Sequence, residues 1–251
     1  MGGGRPILGL LAMFFMAGAV LLIFLTLLGG TSNVIPLNDI YFLQAHTTNI
    51  PGAPGVSRWT FWNLCGVDAD GKSQCGPSHP AFPLDPPSDR NFNTTANIPS
   101  QFIGTSHFFL MTRFMFPFIL IGLSFAVGSL FIGLLAPCTR IGSLLSSSLA
   151  WIALMFQIIS SCLMTAAYVE GRDAFSSNNQ EATLGKKAFG FMWTAVACLI
   201  LSSFLYCLGG VAGRDSGYAS RSTRRRGFFG PRRTSSSRSR RNFANGNKDY
   251  V

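Results

Sequence analysis

Cys65 and Cys75 are the residues whose type and spacing imply chemistry most directly. They follow two tryptophans, Trp59 and Trp62, between the first and second of four apolar stretches. In an oxidising compartment such a pair forms a disulfide, and these are the only two of six cysteines outside the stretches and their expected cytosolic edges. A zinc site that adds His79 is the alternative, but it lacks a fourth ligand at a recognisable spacing. The sequence therefore favours the disulfide.

The apolar stretches contain no charged side chain that could do acid–base chemistry, and all three histidines fall between the first and second stretch. Intramembrane proteases, pumps and carriers need such groups at depth. The sequence therefore predicts a protein that is not an enzyme and holds no cofactor or metal. Hydrogen bonds between helices explain the most polar positions within the stretches. These positions are Gln157, Ser160, Ser161 and Thr165.

The apolar stretches themselves define the fold class. The chain is 48% hydrophobic and only 12% charged, which indicates an integral membrane protein. A helix crosses a bilayer with about 20 apolar residues, and a backbone in lipid must bond to itself. A cleaved secretory signal is the alternative for the first stretch, but it is longer than the usual h-region of about 7–15 residues and lacks an Ala-x-Ala site. The predicted spans are residues 7–28, 114–135, 149–168 and 189–208.

Charge predicts the orientation of these spans. From Arg214 to the end of the chain, eleven basic residues face two acidic ones. Positive loops stay in the cytosol, so both termini of this multi-pass membrane protein are predicted there. The predicted cytosolic segments are 1–6, 136–148 and 209–251, and the predicted extracellular loops are 29–113 and 169–188.

The first extracellular loop is predicted to be ordered. Residues 39–45 and 57–62 are rich in aromatic and β-branched side chains and are separated by a Pro/Gly turn segment. A disulfide in this loop closes a ring of about 11 residues, which restricts the unfolded chain by about 2.8 kcal/mol. The predicted fold is an α-helical four-transmembrane bundle with a small extracellular antiparallel β-sheet.

A resemblance adds to this interpretation. Trp62, Cys65, Cys75 and Arg113 resemble the signature of the claudin-type superfamily. Several longer strings resemble more closely the fungal Sur/PalI family of four-span plasma-membrane proteins, and they bring Trp59, Gly171 and Arg172 into the family signature. These strings are residues 41–45, 58–66, 80–86, 167–172 and 184–193.

The resemblance implies a structural organiser. Sur-type members mark static plasma-membrane domains associated with eisosomes and affect cell-wall and endocytic organisation. For this chain we expect lateral self-association, with cortical scaffold proteins as further partners. PalI-type members are instead accessory components of ambient-pH signalling, and a claudin-like protein would act in adhesion or form a pore.

Small residues recur at four-residue spacing in the second span, with Gly122 before Ala126 and Ser124 before Gly128. Such spacing lets helix backbones approach closely. It favours packing within one bundle, with contacts between copies as the alternative.

The basic tail, residues 209–251, is predicted to be disordered and to contact lipid rather than nucleic acid, with a solvated anchor that has no specific ligand as the alternative. A basic cluster close to a membrane attracts anionic inner-leaflet lipids by about 1 kcal/mol per residue. Phosphorylation within the cluster would weaken that attraction. The candidate lipid-binding residues are Arg224, Arg225, Arg226, Arg232 and Arg233, and the candidate phosphorylation sites are Ser235 and Ser236.

Two further modifications are predicted. Asn93 begins an Asn-Thr-Thr sequon in the extracellular loop, where glycosylating enzymes could reach it. Cys138 and Cys207 lie near the inner face, where palmitoylation takes place.

Overall fold

Four helices form the membrane part of the computed structural model, which describes residues 4–135 and 139–211. Each is long and apolar enough to cross a membrane. The predicted fold class is confirmed, because these helices carry a small antiparallel sheet that does not close into a barrel. The helices are α1 (Gly4–Leu28), α2 (His107–Gly133), α3 (Arg140–Ser177) and α4 (Lys186–Val211).

The sheet contains five strands in the order β4-β3-β2-β1-β5, and all neighbours are antiparallel. Four strands come from the first loop. The fifth comes from the second loop and pairs with β1, a contact that the sequence did not predict. The strands are β1 (Leu43–His46), β2 (Val56–Trp59), β3 (Leu64–Val67), β4 (Ser73–Gln74) and β5 (Ala182–Leu184).

All four helices extend beyond the predicted spans, α1 by three residues at its start, α4 by three at each end, and the other two by more. Helix α2 begins at His107, seven residues before the predicted start, and α3 extends nine residues past each predicted end. With 38 residues at about 1.5 Å each, α3 is about 57 Å long, against a hydrocarbon core of about 30 Å. The sequence bounds were set by loss of apolarity, whereas a helix continues as long as its backbone is bonded. The polar C-terminal end of α3 therefore lies beside the loops.

Of the small residues of the second span, Gly122 and Ala126 pack inside the bundle. A Cβ atom on Gly122 would lie 3.4 Å from the backbone oxygen of Ala153 in α3, and Ala126 is fully buried. Ser124 is exposed and bonds the Leu120 carbonyl of its own helix. The Gly122 face is therefore occupied by α3 and is not free for a second copy.

The polar residues of the third span mostly join helices, as the sequence indicates. Ser160 Oγ donates to the Met115 carbonyl of α2 at 3.1 Å, and Gln157 Nε2 contacts Met192 Sδ at 3.4 Å. Thr165 Oγ1 accepts a hydrogen bond from Trp193 Nε1 of α4. Ser161 differs, because its buried hydroxyl has no hydrogen-bond partner among the described residues.

Candidate functional site

The disulfide of the sheet layer (residues 29–106 and 178–185) is confirmed. Cys65 lies in β3 and Cys75 directly follows β4, so antiparallel pairing brings their Cα atoms within 4.3 Å. With both thiols in a disulfide, the zinc alternative loses two of its three ligands. Within residues 4–135 and 139–211, no cluster of three His, Cys, Asp or Glu side chains is arranged to hold a metal.

Trp62 attaches the sheet layer to two helices. Its indole Nε1 donates a hydrogen bond to the carbonyl of Leu27, in the last turn of α1. Carbonyls in that turn have no partner within the helix, so a donor from outside satisfies one of them. The Trp62 ring also packs edge-on against Phe116 of α2, with 5.5 Å between centroids. The signature tryptophan thus fixes the sheet over α1 and α2.

Trp59 anchors the centre of the sheet. The side chain is fully buried, and its Nε1 donates to Asn91 Oδ1 at 2.9 Å. Its ring packs on Phe175, near the end of α3, and on Phe92 of the loop, with centroids 5.5 Å and 6.0 Å away. This tryptophan therefore joins β2 to α3 and to the segment that follows the disulfide.

The strings that carry the family resemblance meet at the end of α3. Tyr168 stacks on Phe42 with 5.0 Å between ring centroids. A Cβ atom on Gly171 would lie 2.9 Å from Leu84 Cδ2 and in ordinary contact with Leu43 Cδ2 at 3.5 Å, so a larger residue would have to displace the Leu84 side chain. The sequence identified these strings separately but did not predict that they form one interface.

Gly185 is a residue that sequence reasoning missed. Its backbone N–H donates to the Phe42 carbonyl at 2.9 Å, which continues the β1–β5 pairing to the start of α4. A Cβ atom here would overlap the Tyr41 carbonyl. Only the presence of Gly185 in one resembling string could have indicated it, because a single glycine before a helix is common.

The two signature arginines have looser contacts. Arg113 is exposed in the second turn of α2, with Nη1 3.5 Å from the Ala81 carbonyl and its guanidinium 5.9 Å from the Phe109 ring. Arg172 pairs with the adjacent Asp173 at 2.6 Å. Neither arginine lies with the disulfide.

Three exposed contacts between basic and acidic side chains connect the first loop region to the second half of the chain. They add little stability individually, since even exposed ion pairs contribute only about 0–1 kcal/mol. No sequence pattern indicated them, because their members are far apart along the chain. The pairs are Asp39–Lys187 at 2.9 Å, His107–Glu170 at 2.9 Å and His46–Glu181 at 3.9 Å.

The modification candidates have different surroundings. Asn93 is exposed in a left-handed conformation with φ of 52°, and its glycosylation stays a prediction. Cys207 is half-buried, with Sγ 3.0 Å from Ser147 Oγ of α3. The remaining candidates lie outside the described residues. They are Cys138, Arg224, Arg225, Arg226, Arg232, Arg233, Ser235 and Ser236.

The Asp85 carboxyl of the sheet layer has a raised pKa. Burial raises the pKa of Asp85 above its ordinary value, and the neighbouring Asp89 carboxylate adds to the rise. Asp85 lies next to Leu84, which packs under Gly171. The perturbed group therefore belongs to the same interface and is not part of a catalytic cluster.

These features define a class: a multi-pass membrane protein whose disulfide-pinned sheet is built from both loops and fixed to the helix ends. The chain belongs to the SUR7/PalI family, whose family model matches residues 8–205. This confirms the predicted resemblance, and the family is not an enzyme family.

Individual relatives agree with this assignment. The chain is 38% identical to Protein SUR7 of Candida albicans over 204 residues, which cover 80% of this chain and 73% of the relative. It is 34% identical to Protein SUR7 of Saccharomyces cerevisiae over 210 residues, covering 83% and 69%. A third relative, the S. cerevisiae plasma membrane protein YNL194C, is 34% identical over 195 residues, covering 76% and 64%.

Proposed function

We propose that this protein is a structural organiser of static plasma-membrane domains of the eisosome-associated kind, and acts by lateral assembly in the membrane. Through these domains it affects cell-wall and endocytic organisation. Family membership supports the proposal, as does the similarity to a relative that is named as a plasma membrane protein.

The observation that carries the proposal is the attachment of the sheet layer to the bundle. Trp62 bonds the end of α1 and packs on α2, Trp59 packs on α3, and Gly185 joins β1 to the start of α4. All four helices are thus tied to the sheet. Such a body can present fixed surfaces to neighbours in the membrane, which is what a scaffold needs.

Helix α1 offers the lateral surface of this scaffold. Ile7, Phe14 and Leu21 are 65%, 71% and 59% exposed. Between them Gly18 has open space where a Cβ atom would be, so another helix could approach the backbone closely there. The Gly122 face cannot serve this purpose because α3 already covers it.

A fluorescent fusion tests the organiser role in live cells. The expected result is immobile cortical patches whose fluorescence does not recover after bleaching. Diffuse membrane signal, combined with a lost alkaline-pH response in cells lacking the protein, would contradict the proposal and favour a pH-signalling accessory.

The assembly surface is tested by Gly18→Leu. We expect this variant to reach the membrane but to disperse from the patches, because the added side chain prevents close approach at α1. Gly190→Leu is the matched control, since Gly190 in α4 also has open space around it. If Gly18→Leu clusters as well as Gly190→Leu does, α1 is not the assembly surface.

A further inference from the structure

A cleft at the base of the sheet layer concentrates positive charge. It has a volume of about 430 Å³, and Arg58 of β2 and Lys186 and Lys187 of α4 line it. Asp39 is the single carboxylate in its lining, and Tyr41 completes one wall. Three cations against one anion leave a net charge of +2 on a concave surface, which favours an anionic ligand.

The lysines of this cleft are not both neutralised. Asp39 Oδ2 lies 2.9 Å from Lys187 Nζ and pairs with it. Lys186 is exposed and has no ion-pair or hydrogen-bond partner among the described residues. No acidic residue occupies the first turn of α4, where a positive charge opposes the helix dipole. Helix stability therefore does not explain a lysine at position 186.

The arginine of the cleft is held in place by the sheet. Arg58 Nε donates to Gln44 Oε1 at 2.8 Å and Nη1 donates to Ser73 Oγ at 2.9 Å. The guanidinium carbon lies 4.5 Å from the centre of the Tyr41 ring. Its Nη2 has no hydrogen-bond partner within the described part of the chain. A fixed guanidinium with a free donor is well suited to a phosphate oxygen.

The position of the cleft at the end of α4 indicates that the anion comes from a lipid headgroup. Helix α4 is apolar enough to cross a membrane, and its candidate span begins at Lys186, so the cleft lies at the end of that span. Phospholipid headgroups occupy that depth. Apolar α4 continues below the cleft, and it offers a surface along which acyl chains can lie.

We propose that this cleft binds the phosphate group of an anionic phospholipid in the leaflet on the sheet side. Lys186 and Arg58 donate charge-assisted hydrogen bonds to the phosphate oxygens, and Thr183 at the rim supplies a hydroxyl. The binding site does not depend on the organiser role, and its test is independent of patch formation.

Photo-crosslinking of the full chain in nanodiscs tests the site. Neutral phosphatidylcholine discs carry a small fraction of photoactivatable phosphatidylglycerol, and peptide mapping separates crosslinks at the cleft from those at the basic tail. We expect crosslinks near residues 183–190 in the wild type. Lys186→Gln should lower them about fivefold, as expected for one lysine near an anionic surface.

Two more variants sharpen the test. Thr183 is exposed at the rim, so Thr183→Glu places a carboxylate among the cations and should abolish the cleft crosslinks. Arg90→Gln is the matched control. Arg90 is exposed at a different cleft, and its replacement by glutamine removes one positive charge, as Lys186→Gln does. Its crosslinks at residues 183–190 should equal those of the wild type. Lys186→Gln keeps the test valid if Thr183→Glu does not fold.

Three results would overturn the proposal. If Lys186→Gln crosslinks at residues 183–190 as strongly as the wild type does, Lys186 does not bind the lipid phosphate. An equal loss in Arg90→Gln would show that overall charge alone attracts the lipid. Absence of cleft crosslinks in the wild type, together with binding of inorganic phosphate that Lys186→Gln weakens, would identify a soluble anion as the occupant in place of the lipid.

Discussion

At the scale of single residues, the signature acts through close approach and through bonds to backbone groups. Trp62 satisfies a carbonyl at the end of α1, and Gly171 lets α3 pack on Leu84. The residue types were recognisable in the sequence, but their partners were not, because each partner lies tens of residues away. The sequence therefore indicated which residues matter, but not which residues they contact.

The first prediction concerns the hydrogen bond that the indole N–H of Trp62 donates. Trp62→Phe keeps an aromatic ring against Phe116 but leaves the Leu27 carbonyl without its donor. We expect the free energy of unfolding to fall by about 1 kcal/mol, the usual net value of such a bond. The measurement is thermal unfolding of the purified full chain in detergent.

Trp151→Phe provides the control for this prediction. Trp151 is 42% exposed, and its indole N–H has no partner in the described residues. Its replacement should leave the unfolding temperature nearly unchanged. Equal effects of the two substitutions would show that the Leu27 bond does not stabilise the protein.

Asp85 supports a prediction of pH dependence. Its pKa is raised in the folded state, so the folded protein binds this proton more tightly than the unfolded chain. Stability from this group is therefore present below its unfolded pKa of about 3.9 and is lost as pH rises through the folded pKa. Asp85→Asn should unfold at a higher temperature than the wild type at pH 7, and this advantage should shrink on acidification.

Unfolding temperatures from pH 7 down to pH 4 check this expectation. Asp70→Asn is the control, since Asp70 is exposed in the turn before β4. A constant difference between Asp85→Asn and the wild type across this range would contradict the proposed role of the Asp85 carboxyl.

At the scale of elements, the sequence predicted the helices better than the strands. The four apolar runs were sufficient because a backbone in lipid has few alternatives. β5 has only three residues and no distinctive pattern, so its pairing with β1 depends on tertiary contacts. The extension of α3 was missed for a related reason, since its polar end is stabilised by the sheet layer and not by lipid.

Gly185 supports a prediction for this pairing. Gly185→Ala brings a methyl group onto the Tyr41 carbonyl, so β5 must move away from β1. The His46 N–H, which donates to the Glu181 carbonyl at 2.8 Å, should then exchange faster with solvent deuterium. Hydrogen-exchange mass spectrometry of peptides containing residues 41–46 measures this.

Gly190→Ala is the matched control for β5, because it adds the same methyl group five residues further along the chain, in α4, where there is open space. It should leave exchange at residues 41–46 unchanged. If Gly185→Ala also leaves exchange unchanged, the close approach at Tyr41 does not hold β5 in the sheet.

At the scale of the whole molecule, the disulfide stabilises a sheet that is tied to every helix. The sequence predicted the bond and the layer that contains it, but not that the second loop and the end of α3 complete the layer. Conversely, the two signature arginines lie apart from the disulfide. Breaking the bond should therefore affect more than the hairpin it closes.

The final prediction concerns the double variant Cys65→Ser/Cys75→Ser, which lacks the disulfide. On the loop-entropy model, loss of the bond should lower the free energy of unfolding by about 2.8 kcal/mol. Because Trp59 and Trp62 connect the sheet to the helices, we expect one cooperative transition at a lower temperature in detergent. Cys162→Ser is the control, since Cys162 is an exposed free thiol. Separate transitions for sheet and bundle would contradict the expectation that the two unfold together.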